Sequence, residues 1–188
     1  MGIYNNRKLI IPVFEVEFDG IDKCGKDTLV HTMFKVFPNV CAYQARGLQS
    51  QIAYSKLYGR DWSYPVTEGY VSNLLSIYLD VDEDDWIKRL KDSNEIENNK
   101  NRSDVDFVSD YKKHKDAFEY AWNTILSLDS TKNYQDHFLK INTSQYSPQQ
   151  IAEIVADRIK KLNNIFWIFY IFLVYYICKI LKRGNYYG

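Results

Sequence analysis

The chain has 188 residues, enough for one domain with a sizeable core, and 46% of them are hydrophobic, which excludes a largely disordered chain. Lys+Arg and Asp+Glu both count 24, so no global charge points to nucleic acid or to acidic partners. Three cysteines, Cys24, Cys41 and Cys178, without a C-x-x-C pair argue against zinc and against a disulfide framework, and fit a reducing compartment.

The opening "MGIYNNRKLIIPVFEVEF" has an apolar run broken by Glu15 and Glu17, unlike a signal peptide, and its "MG" lacks the Ser or Thr at position 6 that myristoylation favours. The stretch 9–19 alternates after Pro12 and predicts a strand. Leu29, Met33, Phe34 and Phe37 recur at helical spacing and predict a helix over 26–37. A short strand follows within 38–43, then a helix over 48–59 ended by Gly59. "LLSIYLDVD" (74–82) reads as a strongly apolar strand, with a helix over 83–94 behind it. The polar stretch 92–104 predicts a loop, 106–126 a long amphipathic helix, and 137–144 a strand. The helix over 147–162 opens on Ser147 as N-cap and Pro148 at its first position. Strands alternating with helices predict a parallel sheet with helices on both faces, a three-layer α/β fold.

Chemistry concentrates in "FDGIDKCGKDTL" (18–29). Gly20 and Gly25 bracket four residues and Lys26 follows, between a predicted strand and a predicted helix. Glycines let backbone N–H groups turn toward phosphate oxygens, the helix N-terminus adds its dipole, and a Lys at this place reaches the β- and γ-phosphates. The cofactor-binding set is Gly20, Ile21, Asp22, Lys23, Cys24, Gly25, Lys26, Asp27 and Thr28. Asp27 stands where such loops carry Ser or Thr. It is a Mg²⁺ ligand, or a handicap that repels phosphate by about 1–4 kcal/mol at ~4 Å, or a side chain pointing away while Thr28 supplies the hydroxyl.

"FDGIDKCGKDT" resembles the loop of thymidylate kinases and related deoxynucleoside monophosphate kinases, matching at Asp19, Gly20, Ile21, Asp22, Gly25 and Lys26. In "ARGLQSQIAY", Arg46, Ser50, Ala53 and Tyr54 follow the family spacing of Arg, Ser and Ala-Tyr. "SIYLDVDEDDWIKRL" resembles the family's fourth strand with the helix leading to its lid, and "HFLKINTSQYSPQQIAEIVADRI" its last strand and helix. The likeness covers roughly residues 9–162 and departs at Ala45, where the family has Asp, and in the short interval from Lys26 to Arg46. The missing piece would hold a strand and the helices that recognise the acceptor's base.

The resemblance implies an ATP-dependent kinase of a deoxynucleoside monophosphate, with ATP and Mg²⁺. It implies Lys26, Arg46, Lys23 and Arg102 around the transferring phosphoryl group, with Arg46 bridging donor and acceptor phosphates. It also implies Asp22, Arg46, Ser50 and Tyr54 on the substrate; the candidate metal residues, Asp27 and Asp80, follow from their own chemistry and place in the chain. The alternative is a catalytically weakened nucleotide-binding or regulatory protein of the same fold, favoured by Ala45, Asp27 and the shortened middle. His31, His114 and His137 lack ligand spacing and are assigned to surface or core. Tyr54 and Trp62 could stack on a base, and packing is the better assignment. Asp80 and Asp82 end a strand, where they serve a metal-bound water or cap the next helix.

The domain is expected over 1–163 and a distinct tail over 164–188. Ile165 to Cys178 is fourteen residues without a charge, and Ile180 and Leu181 extend the run to seventeen around Lys179, marginal against the ~20 that a spanning helix needs. A membrane anchor, a hydrophobic extension packing on the domain or a partner, and a non-native extension all fit. The expected partner is a small-molecule nucleotide, with no nucleic acid. Membrane contact through 165–181 and a homodimer are left open, and the expected location is cytoplasmic unless the tail tethers the chain.

Overall fold

The computed structural model describes residues 14–37, 41–63, 65–93 and 104–162. Four strands, β1 (Phe14–Asp19), β2 (Cys41–Ala45), β3 (Leu74–Asp80) and β4 (Phe138–Asn142), form one all-parallel sheet in the order β2-β1-β3-β4. Helices α1 (Lys26–Val36), α2 (Leu48–Leu57), α3 (Glu68–Val71), α4 (Glu83–Asp92), α5 (Asp104–Ser127) and α6 (residues 148–162) connect and flank it, giving the expected three-layer α/β fold. The beginning of the first expected strand, most of the polar loop at 92–104 and the tail lie outside the described residues. Among the described residues no helix is long and apolar enough to cross a membrane.

Strand β3 is buried along nearly its whole length, as a central parallel strand must be. Its Tyr78 stacks against Phe118 and tilts against Trp122 of α5, while Ser76 accepts from Gln49 Nε2 of α2 at 2.8 Å, so α2 and α5 cover one face. Leu29 and Met33 of α1 and Ile151, Val155 and Ile159 of α6 belong to the same core and close the other face. Helix α6 starts with a reciprocal capping box: Gln150 N donates to Ser147 Oγ (3.3 Å) and Ser147 N to Gln150 Oε1 (2.9 Å). Its apolar residues at 151, 152, 155, 156, 159 and 162 then fall on one buried stripe.

The acidic side of the alternating β1 does not face water: Glu17 and Asp19 are both buried. β1 lies inside the sheet, and its acidic side is roofed by the start of α2 rather than by water. Parallel register sets Phe18 beside Ala45 and Ile77, and Asp80 beside Asn142, so the segments leaving all four strands gather at one edge. Open α/β sheets bind ligands at that edge.

Gly20 opens the turn after β1 with φ +144°, and a Cβ there would lie 2.3 Å from the Leu79 carbonyl oxygen. Gly20→Ala is therefore expected to lose about 2–4 kcal/mol in urea unfolding, through backbone strain and a clash with main chain. Gly25 also has positive φ (+104°), but a Cβ there would meet nothing within 4 Å. Gly25→Ala should cost about 1 kcal/mol, from the backbone alone.

Candidate functional site

The turn from Gly20 to Gly25 wraps around its own lysine. Lys26, the first residue of α1, is buried and donates from Nζ to Gly20 O (2.9 Å) and Ile21 O (2.8 Å), with Asp22 Oδ1 at 3.7 Å. Positive φ at Gly20, Lys23 (65°) and Gly25 bends the chain tightly enough for this. Cys24 is sealed behind the turn, and burial pushes its thiol up to about 11, so it stays protonated and unreactive at neutral pH.

Asp22 joins the loop to the next strand's exit. Its carboxylate lies 3.5 Å from Arg46 Nη2 and accepts from Tyr54 Oη at 3.3 Å, while its carbonyl accepts from Trp86 Nε1 at 2.7 Å. Asp22, Lys26, Arg46 and Tyr54 are thus brought together, three elements meeting at one carboxylate. Burial is the main reason the Tyr54 phenol is pushed up to about 12, and Asp22 adds to it. Tyr54 also stacks on Tyr58 and meets Phe118 edge-on, and Trp62 packs half-buried against the core, in line with the packing assignment for both.

A cavity of about 610 Å³ opens over the loop, within the range of small-molecule sites. Residues 22–28 line one side, and Arg46, Arg89, Thr143 and Tyr146 are among those lining the rest. Asp27 and Thr28 are exposed on the first turn of α1 and line it together. A carboxylate and a hydroxyl are hard oxygen donors, and Mg²⁺ commonly takes one or two carboxylates and completes its shell with phosphate oxygens and water, so this pair fits that ion. The positive-φ Gly25 beside them, with open space where a side chain would stand, fits a close approach of phosphate to backbone.

Other expected residues fall elsewhere. Ser50 donates from Oγ to buried Asp19 at 2.5 Å beneath the start of α2 and is not part of the cavity lining. Asp80 is held by Lys115 and Lys140 and by the Val81 amide (2.8 Å), so two ammonium groups already neutralise it away from the cavity. Asp82 accepts from Asn142 Nδ2 at 2.8 Å. His137 is buried with its ring beside Leu74 O. Arg102 lies outside the described residues. Among the described residues no group of three or more His, Cys, Asp or Glu side chains is arranged to hold a metal ion.

Arg89, Thr143 and Tyr146 are additions that sequence reasoning missed. Arg89 Nη1 donates to Thr143 Oγ1 (3.0 Å) and, more weakly, to Cys24 O (3.3 Å), while Nη2 donates to Thr143 O (2.9 Å). It pins the loop to the segment leaving β4. Trp86 and Arg89 stand one turn apart on α4 and both hold loop carbonyls, so W-x-x-R behind a buried strand was the available signal.

No family model matches the chain, and no curated protein sequence matches it. Among solved structures, the YorR protein of Bacillus subtilis, in complex with phosphorylated GDP, is similar with a TM-score of 0.52 and 14% identity, over 78% of this chain and 95% of that one. At that identity the likeness establishes the fold: a three-layer α/β domain with a four-stranded all-parallel sheet, like that of a nucleotide-binding protein.

Proposed function

We propose that the chain is a phosphotransferase that uses ATP with Mg²⁺ to phosphorylate a deoxynucleoside monophosphate. The observation that carries this reading is the convergence at Asp22, where Lys26 of the loop, Arg46 behind β2 and Tyr54 of α2 meet, with Asp22, Lys26 and Arg46 all lining one cavity. Phosphoryl transfer asks mainly for positive charge and positioning around the moving group. In this reading the amides of 20–28 cradle the donor's phosphates, Lys26 neutralises the developing charge with help from Lys23 and Arg102, and Arg46 faces the acceptor phosphate. Asp27 and Thr28 would hold Mg²⁺, which supplies charge neutralisation between phosphate oxygens. Residues 1–163 form the working unit. A neighbour of the same fold that carries a phosphorylated guanine nucleotide supports a nucleotide here.

A second reading is a nucleotide-binding protein with weakened catalysis. It is favoured by Ala45, by Asp27 and by the short interval from Lys26 to Arg46, which leaves little chain for the elements that would recognise an acceptor's base. A coupled ADP-release assay across a panel of deoxynucleoside monophosphates separates the two. Monophosphate-dependent ADP release supports the kinase, and ATP–Mg²⁺ binding without turnover on any acceptor supports the second.

Asp27 gives a finer test. With its carboxylate on the metal, Asp27→Asn should raise the Mg²⁺ concentration for half-maximal rate about tenfold or more. A gain in turnover in Asp27→Ser would identify a handicap instead, and no change in either variant a side chain that points away.

A further inference from the structure

Three consecutive backbone N–H groups at the start of α2 are held by three consecutive residues of β1. Arg46 N donates to Phe18 O (3.0 Å), Gly47 N to Asp19 Oδ1 (2.8 Å) and Leu48 N to Glu17 Oε2 (3.0 Å). The turn needs this hold, because Arg46 has φ +73°, a conformation that costs a side-chain-bearing residue about 1 kcal/mol or more. Glu17 is built into it sterically as well. A Cβ on Gly47 would lie 2.1 Å from the Glu17 carboxylate, so the carboxylate fills the space that glycine leaves.

We propose that Glu17 is a positioning residue for Arg46, and that its ionised carboxylate is the form that fixes the Arg46–Gly47 turn. The inference rests on the reading of Arg46 as the residue facing the acceptor phosphate. Glu17 never touches substrate in this account and acts through the backbone it anchors.

The surroundings make that ionisation sensitive. Oε1 accepts from Gln44 Nε2 of β2 (2.8 Å) and from Tyr70 Oη of α3 (2.5 Å), and Oε2 from the first amide of α2. The titratable groups around it are Asp19 and Glu15 on β1 and Tyr70 on α3; from β3 its register partner is Ser76. Burial, and then the neighbouring Asp19, push the Glu17 carboxyl from its ordinary 4.5 up to about 7, against the opposing pull of the Tyr70 and Leu48 bonds. Protonation need not break a bond, since the Tyr70 hydroxyl can turn and accept. It replaces the charge-assisted bond at the helix N-terminus by a neutral one of roughly half the strength.

Two opposite pH dependences follow. The folded chain binds this proton more tightly than the unfolded chain, so Glu17's contribution to stability falls as pH rises from 4.5 toward about 7. The turn, and with it turnover, tightens over the upper part of the same range. A purely structural role for Glu17 would not make rate rise while stability falls.

The test uses the full chain with ATP–Mg²⁺ and the deoxynucleoside monophosphate panel, between pH 5.5 and 8.5. Wild type should gain about 3- to 10-fold in kcat on a limb centred near 7, with the ATP KM unchanged. Glu17→Gln should sit at the low plateau throughout, and Tyr70→Phe should move the limb to higher pH by removing a bond that favours the carboxylate. A wild-type rate and limb in Glu17→Gln, with Arg46→Ala impaired, would overturn the positioning role and leave the kinase reading intact. Full activity in Arg46→Ala would instead remove the reading of Arg46. Amide exchange at Gly47, Leu48 and Ser50 decides the anchor independently of turnover: faster exchange in Glu17→Gln supports it, and unchanged exchange overturns it. If Glu17→Gln does not fold, Tyr70→Phe decides, and an unmoved limb there counts against the proposal.

Discussion

Lys26→Ala is expected to lower turnover about 10²- to 10³-fold, the scale on which removing one positioned donor to a developing negative charge acts. In the described structure the ammonium is buried and satisfied by Gly20 O and Ile21 O, so it is held at the loop without depending on an acidic partner for its position. A phosphate in the cavity would offer it a stronger, charge-assisted partner than those two carbonyls. Alanine removes that charge and leaves the loop carbonyls without their donor, at about 1 kcal/mol each in stability, a loss the fold can absorb. Titrating a fluorescent ATP analogue with Mg²⁺, alongside ADP release, reads both effects. Equal affinity and equal turnover in the two proteins would remove the phosphate-loop reading.

Arg46→Ala is expected to reduce kcat about 10²- to 10³-fold while changing ATP affinity no more than about twofold, because an arginine that meets a phosphoryl group only in the transition state contributes to rate rather than to donor binding. The side chain is exposed, lies 3.5 Å from Asp22, and lines the same cavity as Arg89 and Thr143. Asp22 can hold it ready and release it to an acceptor phosphate. Arg46→Lys should not restore the rate, since an ammonium cannot reproduce a two-pronged contact. Initial-rate measurements that vary ATP and acceptor separately check this, and an equal loss in ATP binding and rate, or in neither, contradicts the bridging role.

The layered fold was legible because each strand and its following helix differ in period and are punctuated by Gly, Pro or Asp. β3 and α6 are the clearest cases, one a continuous apolar run and the other a capped stripe. Helix α3, four residues long, and the 3₁₀ segment Asp129–His137, kinked at Tyr134, were not legible, since neither is long enough to show a period. The burial of Glu17 and Asp19 was not legible, because the alternation that marks β1 as a strand cannot tell water from a roof of helix amides, and the two carboxylates find theirs about thirty residues away. The loop was legible from its own spacing, whereas a place for Arg46 and Tyr54 beside it was expected only from the family resemblance. For Arg89 the W-x-x-R spacing could flag a hold on the loop, but not its partner Thr143, which is 54 residues away and is brought beside it only by the sheet register.

The most direct measurement is hydrogen–deuterium exchange of the full chain with and without ATP–Mg²⁺. The account predicts protection concentrated in 20–28 and 143–148, with a smaller effect at 46–50, and loss of the first two in Lys26→Ala. Unchanged exchange at 20–28 under saturating nucleotide, or protection confined to another part of the sheet, would contradict the claim that this loop is where the protein holds its nucleotide.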